Sequence, residues 1–399
     1  MKILANEDTM TSSSLLEIRK RAVTLRAQGQ FLEAAETYAF VAERLPSSNA
    51  GLFAAYALRD AGKLEQARQA FEAYAEGHPE DFDGWVGLGT FLKRHGHYEA
   101  AREPLRRALA IREDVPVRNA YIASLWRTGA FDQAQKEGLK NLQRKQELAF
   151  ETFSNSPFKN YKLAEGGRGF DPENREKNII AFSLWGDRPE YVTGAIVNAQ
   201  IAQHIYVRWT PRFYCDTTVP HDAREALKAY GAQVVLMTKP EHARIRPMWR
   251  FLAADDPDIN VFVCRDSDSR LNAKELLAVH DWVESGKRFH VMRDHIYHHE
   301  LILAGMWGGT AGVLPNLGDW LNSASAYFDN RFGDQAFLAD MIWPLIQGDV
   351  RIHDTAYGFP DGTAFPRGYD LPGLIHVGGA TKTMPHWSKY VQMPKPEQA

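Results

Sequence analysis

A chain of 399 residues exceeds one ordinary compact domain, so two units are expected, and 44% hydrophobic with 24% charged residues lets both form cores. The formal net charge of -3 leaves no cation excess to neutralise phosphates, which argues against a general nucleic-acid binder. Cys215 and Cys264 are too few for a disulfide framework, and neither a signal peptide nor an apolar membrane span is readable, so a reducing, cytoplasmic location is expected.

Residues 13–147 repeat. The segments RAQGQFLEAA, RDAGKLEQAR, KRHGHYEAAR and WRTGAFDQAQ align on Gly29, Gly62, Gly96 and Gly129, at intervals of 33, 34 and 33 residues. Two positions on stand Phe31, Leu64, Tyr98 and Phe131; five positions on stand Ala34, Ala67, Ala101 and Ala134. A glycine at the turn and a small residue in the second helix at this period resemble tetratricopeptide repeats. The third copy carries the fullest pattern, with Trp85, Leu88, Gly89, Ala101, Leu105 and Ala108, while the fourth departs at Gly138. The resemblance implies an α-helical solenoid of four repeats. Its groove could recruit a protein or peptide, or the array could serve as a scaffold that makes a homodimer or braces the second domain.

Residues 148–177 read as a connector. They lack periodicity and carry Pro157, Gly166, Gly167, Gly169 and Pro172, but Phe150, Phe153, Phe158 and Tyr161 suggest that one domain pins them. From 178 to 390 strands alternate with helices. NIIAFSLWG (178–186), RFYCD (212–216), QVVLM (233–237) and INVFVCRDSD (259–268) read as strands; 191–206 and 221–231 read as helices. This pattern predicts an α/β domain with a mainly parallel sheet, whose ligands bind beyond the carboxyl ends of the strands. Residues 391–399 read as a tail.

The central motif is Arg265-Asp266-Ser267-Asp268-Ser269-Arg270 after the strand INVFVC. Two carboxylates two residues apart at a strand end can present hard oxygen ligands to Mn²⁺ or Mg²⁺, and such an ion can bind a diphosphate. A solvated turn is the plain alternative. The strand ending in D-x-D resembles the GT-A class of nucleotide-sugar glycosyltransferases. Two further segments resemble the glycogenin and lipopolysaccharide galactosyltransferase family: His376-Val377-Gly378-Gly379-Ala380-Thr381-Lys382 fits H-x-x-G-x-x-K, and Asp334-Gln335 with Leu338 fits D-Q-x-x-L. The family closes the first motif with Pro-Trp; here Thr383 and Met384 intervene before Pro385, His386 and Trp387.

The resemblance implies a Rossmann-like GT-A domain and a metal held by Asp266, Asp268 and His376. Gly379 and Lys382 would meet the diphosphate, with Lys382 stabilising the leaving group, and Asp334 and Gln335 would hold the donor sugar near the reacting carbon. Retention of anomeric configuration is implied as well. Asp294, at the end of the strand FHVM, is a further candidate for sugar hydroxyls, and its neighbour Arg293 for a phosphate. Ser183 and Trp185 stand where GT-A enzymes bind base and ribose; Arg246 and Arg250, Arg265 and Ser267 are candidates on the nucleotide side. Of His295, His298, His299 and Glu300, a surface or acceptor-facing role is expected, since no second cluster completes a zinc site. Gly305, Gly308, Gly309 and Gly312 imply close backbone approach, but the asparagine of the family's N-x-G-V segment is missing. The expected activity is sugar transfer from a nucleotide-sugar donor, UDP-sugar favoured. The rivals are a metal-dependent nucleotidyltransferase or phosphoryl hydrolase, and a non-catalytic adaptor with a decayed enzyme domain.

Overall fold

A computed structural model describes residues 12–314, 316–328, 332–369, 371 and 375–390; the tail read at 391–399 lies outside the described residues. The chain divides into two compact units, Met1–Gly138 and Leu139–Ala399.

The first unit consists of helices packed in sequence order. They are α1 (Ser12–Ala27), α2 (Phe31–Arg44), α3 (Ala50–Asp60), α4 (Leu64–Gly77), α5 (Phe82–Arg94), α6 (Tyr98–Ile111), α7 (Val115–Arg127) and the start of α8 (Phe131–Asn155). Each pair turns at one of the four repeat glycines, which adopt φ of +79°, +73°, +80° and +81°. One hydrogen-bond pattern recurs four times. The residue after the glycine donates its N–H back five positions, to Leu25, Leu58, Leu92 or Leu125, at 2.9 Å in each case. This is the Schellman ending, which a left-handed residue makes possible. The four alanines are fully buried, and at Gly89 an added Cβ would meet the Leu105 side chain at 2.7 Å. Small residues therefore set the approach of the paired helices, and the unit is a tetratricopeptide-type solenoid.

Helix α8 continues to Asn155, eight residues into the stretch read as connector. LAFETFSN contains no helix breaker, and the helix stops at Ser156-Pro157, where proline removes a donor. Beyond it, Phe158 and Tyr161 pack on Trp320 with ring centroids 4.7 and 4.8 Å away.

The second unit is built on a seven-stranded sheet in the order β3-β2-β1-β4-β6-β5-β7. In chain order its elements are β1 (Asn178–Leu184), α9 (Pro189–Ile205), β2 (Thr210–Cys215), α10 (His221–Ala229), β3 (Gln233–Leu236), β4 (Val261–Arg265), α11 (Ala273–Glu284), β5 (Phe289–Arg293), β6 (Trp307–Thr310) and β7 (Val350–Asp354). All pairings are parallel except those of β6 with β4 and β5. The strands β1, β2 and β4 are buried along their whole length, their apolar runs carrying Asn178, Arg212 and Arg265 into the interior with them. The register pairs Phe182 with Arg265 and Leu184 with Cys215, so β1, β2 and β4 end on one edge. Because β6 runs in reverse, its first residue, Trp307, faces Cys264 on that same edge.

Sequence periodicity located five of these strands and missed β6 and β7. β6 is only Trp307–Thr310, half of it glycine, and so carries no strand pattern. The segment Pro240–Asp255 before the D-x-D strand is a 3-10 segment kinked at Ile245, two residues ahead of the internal Pro247.

Candidate functional site

The loop after β4 is fixed from below before it meets any ligand. Asn198 of α9 donates to the Ser269 carbonyl at 2.9 Å and accepts the Leu271 N–H at 3.2 Å. Gly194 of the same helix lies so close to the Ser267 carbonyl that no Cβ would fit. Ser267 Oγ donates to the Ser183 carbonyl at 3.1 Å, which ties the loop to the end of β1. These contacts turn Asp266 and Asp268 outward into a cavity of about 430 Å³.

The cavity gathers residues from distant parts of the chain: Ser183 and Trp185 after β1, Tyr191 of α9, Arg250, the acids Asp266 and Asp268, Asp334-Gln335, and Lys382. Arg250 is 5% exposed. It donates to Asp266 Oδ1 at 2.7 Å and reaches Asp334 Oδ2 at 3.3 Å, so one guanidinium holds two carboxylates on one wall. Burial, then the neighbouring charge of Asp266, pushes the Asp268 carboxyl above its ordinary range, with Lys382 at 4.0 Å opposing. Burial raises Asp334 also, against the pull of Arg250. Gln335 Oε1 is buried without a hydrogen-bond partner. Trp185 remains 39% exposed, its ring nearly perpendicular to that of Trp249 at 6.3 Å between centroids.

Backbone approach completes the wall. A Cβ at Gly305 would collide with the Asp266 carboxylate, and one at Gly333 with the Tyr327 carbonyl. The first lies just before the reversed strand β6, which brings Leu303–Met306 to the rim.

Several residues singled out from the sequence lie elsewhere. Arg265 is 1% exposed and faces Glu275 at 3.5 Å, inside the domain rather than at the cavity. Arg293 is fully buried, paired with Asp354 at 2.8 Å and bonded to the Leu301 carbonyl at 2.7 Å, so it is spent on structure. Arg246 pairs with Asp216 at 3.0 Å. Asp294 does not line the cavity; its side chain is 1% exposed and accepts the Val377 N–H at 3.0 Å. That bond, with stacking of His376 on His295 at 4.4 Å, draws His376 to the end of β5, where it groups with Asp294 and His298 and not with Asp266 and Asp268. In the H-x-x-G-x-x-K segment, Gly378 and Ala380 line the cavity instead of Gly379, whose N–H closes a turn on the His376 carbonyl at 3.0 Å.

Tyr191, Pro247, His298, Leu303 to Met306 and Phe332 line the cavity without having been singled out from the sequence for that place. Two of them had carried a signal: Gly305 through the glycine cluster's demand for close approach, and His298 through the acceptor-facing role expected of its histidine run.

The site class is thus an acid-lined cavity on the carboxyl edge of a mainly parallel sheet, preceded in the chain by a helical repeat array. No family model matches the chain, and no curated protein does. Solved structures with partial likeness include MamA from Desulfovibrio magneticus RS-1, at 16% identity and TM-score 0.30, covering 36% of this chain and 80% of that one. A kinesin light chain with TPR-like repeats from Podosopora anserina gives 16%, 0.31, 37% and 82%. A Thermobaculum terrenum O-GlcNAc transferase variant is 13% identical with TM-score 0.33; the match covers 72% of this chain and 55% of that one. At such scores the likenesses assign no activity. Among the described residues no helix is long and apolar enough to cross a membrane.

Proposed function

We propose that the α/β unit is a metal-dependent glycosyltransferase that moves a sugar from a nucleotide-sugar donor, a UDP-sugar by preference, to an acceptor. The observation that carries this reading is the convergence of Asp266, Asp268, Asp334, Gln335, Lys382 and Trp185 on one cavity at the carboxyl edge of the sheet. The donor set fits a hard divalent ion: two acids share the wall, and Lys382 stands 4.0 Å from Asp268. Asp266 and Asp268 would hold Mn²⁺ or Mg²⁺. Such an ion neutralises the charge of a diphosphate.

The remaining roles belong to the chain's own groups. Lys382, 74% exposed, can swing onto a departing phosphate without breaking a strong pair. Gln335 Oε1, left without a donor, accepts from a sugar hydroxyl, and Asp334 is held in place for another by Arg250. The open face of Trp185 receives a base by stacking. His376, which the resemblance implies for the donor site, and Asp294, a further candidate there, are not among the residues that line the cavity. Retention of configuration rests on the D-Q and H-x-x-G-x-x-K resemblances, and the anomeric form of the product, read by NMR, decides it.

Thermal stabilisation by nucleotide sugars, with and without Mn²⁺, tests the reading, since a ligand that binds the folded state raises its melting temperature. A metal-dependent shift with UDP-sugars, lost in Asp268→Asn, is expected. Turnover of nucleoside triphosphates with no response to any nucleotide sugar would sink it in favour of a nucleotidyltransferase or hydrolase. The array's role follows as a second proposal: it recruits a protein or peptide acceptor. Removing residues 1–130, which leaves α8 whole, then abolishes acceptor transfer while donor hydrolysis persists; unaltered transfer to the acceptor refutes it.

A further inference from the structure

The acid pair stands at the end of a central strand, but two walls of its cavity come from segments outside the strand ladder. One is the connection from β5 to β6, which supplies His298 and Leu303 to Met306. The other is the helical run that starts at Gly333 and supplies Asp334 and Gln335 at its head. Both are gripped by α8.

In α8, Leu142, Lys145, Gln146 and Ala149 fall at i, i+3, i+4 and i+7, the spacing of a buried helical stripe. Leu142 and Ala149 are buried, as such a stripe demands. The two middle positions are polar, and each engages one wall. Lys145 Nζ donates to the His299 carbonyl at 2.6 Å and to Glu300 Oε1 at 2.7 Å. The Lys145 side chain is 10% exposed, and burial pushes its ammonium below the ordinary range while Glu300 opposes. One position on, about 100° further round the helix, Gln146 Oε1 accepts from Trp343 Nε1 at 3.2 Å and from Gln347 Nε2 at 3.0 Å. Apolar side chains would cover the same surface without burying an ammonium, which is costly even when it is paired. What they would not supply is direction, and bonds to particular carbonyl, carboxylate and N–H groups do.

The grip is close to the chemistry. His299 and Glu300 are flanked by cavity-lining residues, His298 before and Leu303 after. Leu301 and Ile302 are fully buried, and the Leu301 carbonyl accepts from Arg293 at 2.7 Å, so a displacement at Glu300 is passed along the segment rather than absorbed. It reaches Gly305, whose backbone lies against the Asp266 carboxylate with no room for a Cβ. On the other wall Trp343 is fully buried in the same helical run as Asp334 and Gln335.

We propose that Lys145 and Gln146 are positioning residues of the cavity: Lys145 sets the 298–306 wall against Asp266, and Gln146 sets the helix that presents Asp334 and Gln335. Neither touches the ligand. The kinetic consequence rests on the glycosyl-transfer reading; the placement of the walls does not.

The test is made in the full chain with Lys145→Met, Gln146→Leu and a control, Leu142→Ala, which loosens the apolar part of the same stripe and leaves both polar grips in place. Amide hydrogen exchange reads the walls with no donor present. Lys145→Met should speed exchange across 298–306, and Gln146→Leu across 333–347, by about tenfold or more, while β1, β2 and β4 keep their protection. With a nucleotide sugar and Mn²⁺, Lys145→Met should lower kcat roughly tenfold and leave the donor KM within about twofold. Leu142→Ala should lower the melting temperature with no change confined to either wall. Unchanged exchange at both walls in the polar variants overturns the proposal, and so does the same wall-specific change in Leu142→Ala. Exchange that responds in an enzyme whose kcat does not also overturns it. Exchange that responds in a protein with no sugar transfer upholds the placement of the walls and counts against the glycosyl-transfer reading instead.

Discussion

The array and the α/β unit solve the same packing problem in opposite ways. In the array, one solution is used four times: a left-handed glycine closes each turn, and a buried alanine five residues on admits the neighbouring helix. In the α/β unit every close approach is unique, with Gly194 under the Ser267 carbonyl, Gly305 against Asp266 and Gly333 against Tyr327. Damage to a repeated device is shared among nearest neighbours and should be graded. Damage to a unique device strikes the one site that it shapes.

The largest effect expected from this contrast is at the acid pair. Asp268→Asn should lower metal-dependent transfer by at least about 100-fold while the melting of both units stays near that of the unaltered chain. Steady-state kinetics alongside calorimetry decides this, and a matching loss of fold would return Asp268 to a structural role. Next come two glycines with similar steric conflict. Gly305→Ala should cost roughly tenfold or more in activity by displacing Asp266, whereas Gly89→Ala should remove about 1–3 kcal/mol from the array's stability and leave donor hydrolysis intact. Equal effects on activity would erase the distinction between the regions.

Acidity separates the units by another route. His353 is fully buried, and burial pushes its ring down to about 4. A depressed histidine stays neutral in the fold while the unfolded chain takes up a proton, so stability falls as pH drops from about 6.5 to about 4. The loss is about 3 kcal/mol. It should fall on the α/β transition in denaturation followed against pH, and His353→Asn should flatten it. Glu300 behaves differently. Burial opposes its ionisation, yet the His299 ring and Lys145 outweigh that and hold it at about 2. Its stabilising share is full above about 4.5 and disappears only as pH falls toward 2. The smallest effects belong to the turn glycines. Gly62→Ala and Gly96→Ala, where nothing crowds an added Cβ, should each cost about 1 kcal/mol for the positive φ alone. Their double variant should show about the sum of the two losses in chemical denaturation, and a departure from it would measure the coupling between neighbouring turns.

The same contrast explains what could be read in advance. The repeats were legible because each copy corroborates the others: four glycines and four alanines in phase specify the turn and the contact. The strands β1 to β5 were legible from their short apolar runs, of which β1, β2 and β4 run into glycine or acid. In the site, Asp266, Asp268, Asp334, Gln335 and Lys382 do share a cavity, as the motifs implied. What the sequence could not carry was the pairing of buried charge. Arg265 and Arg293 follow apolar strands just as the acids do, and only the packed interior shows that Glu275 and Asp354 already hold them. Nor could it place His376, since a main-chain bond from Val377 and a stacked ring decide its neighbours.

The reversal of β6 has an architectural consequence. A parallel neighbour would oblige the chain to cross from one edge of the sheet to the other before re-entering it. With β6 antiparallel to β5, residues 294–306 both leave and rejoin on the ligand edge, tethered at two closely spaced points. Between those points the segment is built into the core, with Leu301 and Ile302 fully buried and the Leu301 carbonyl accepting from Arg293. The rim of the ligand edge and the floor of the domain are therefore one piece, and a change of length in this segment reaches both.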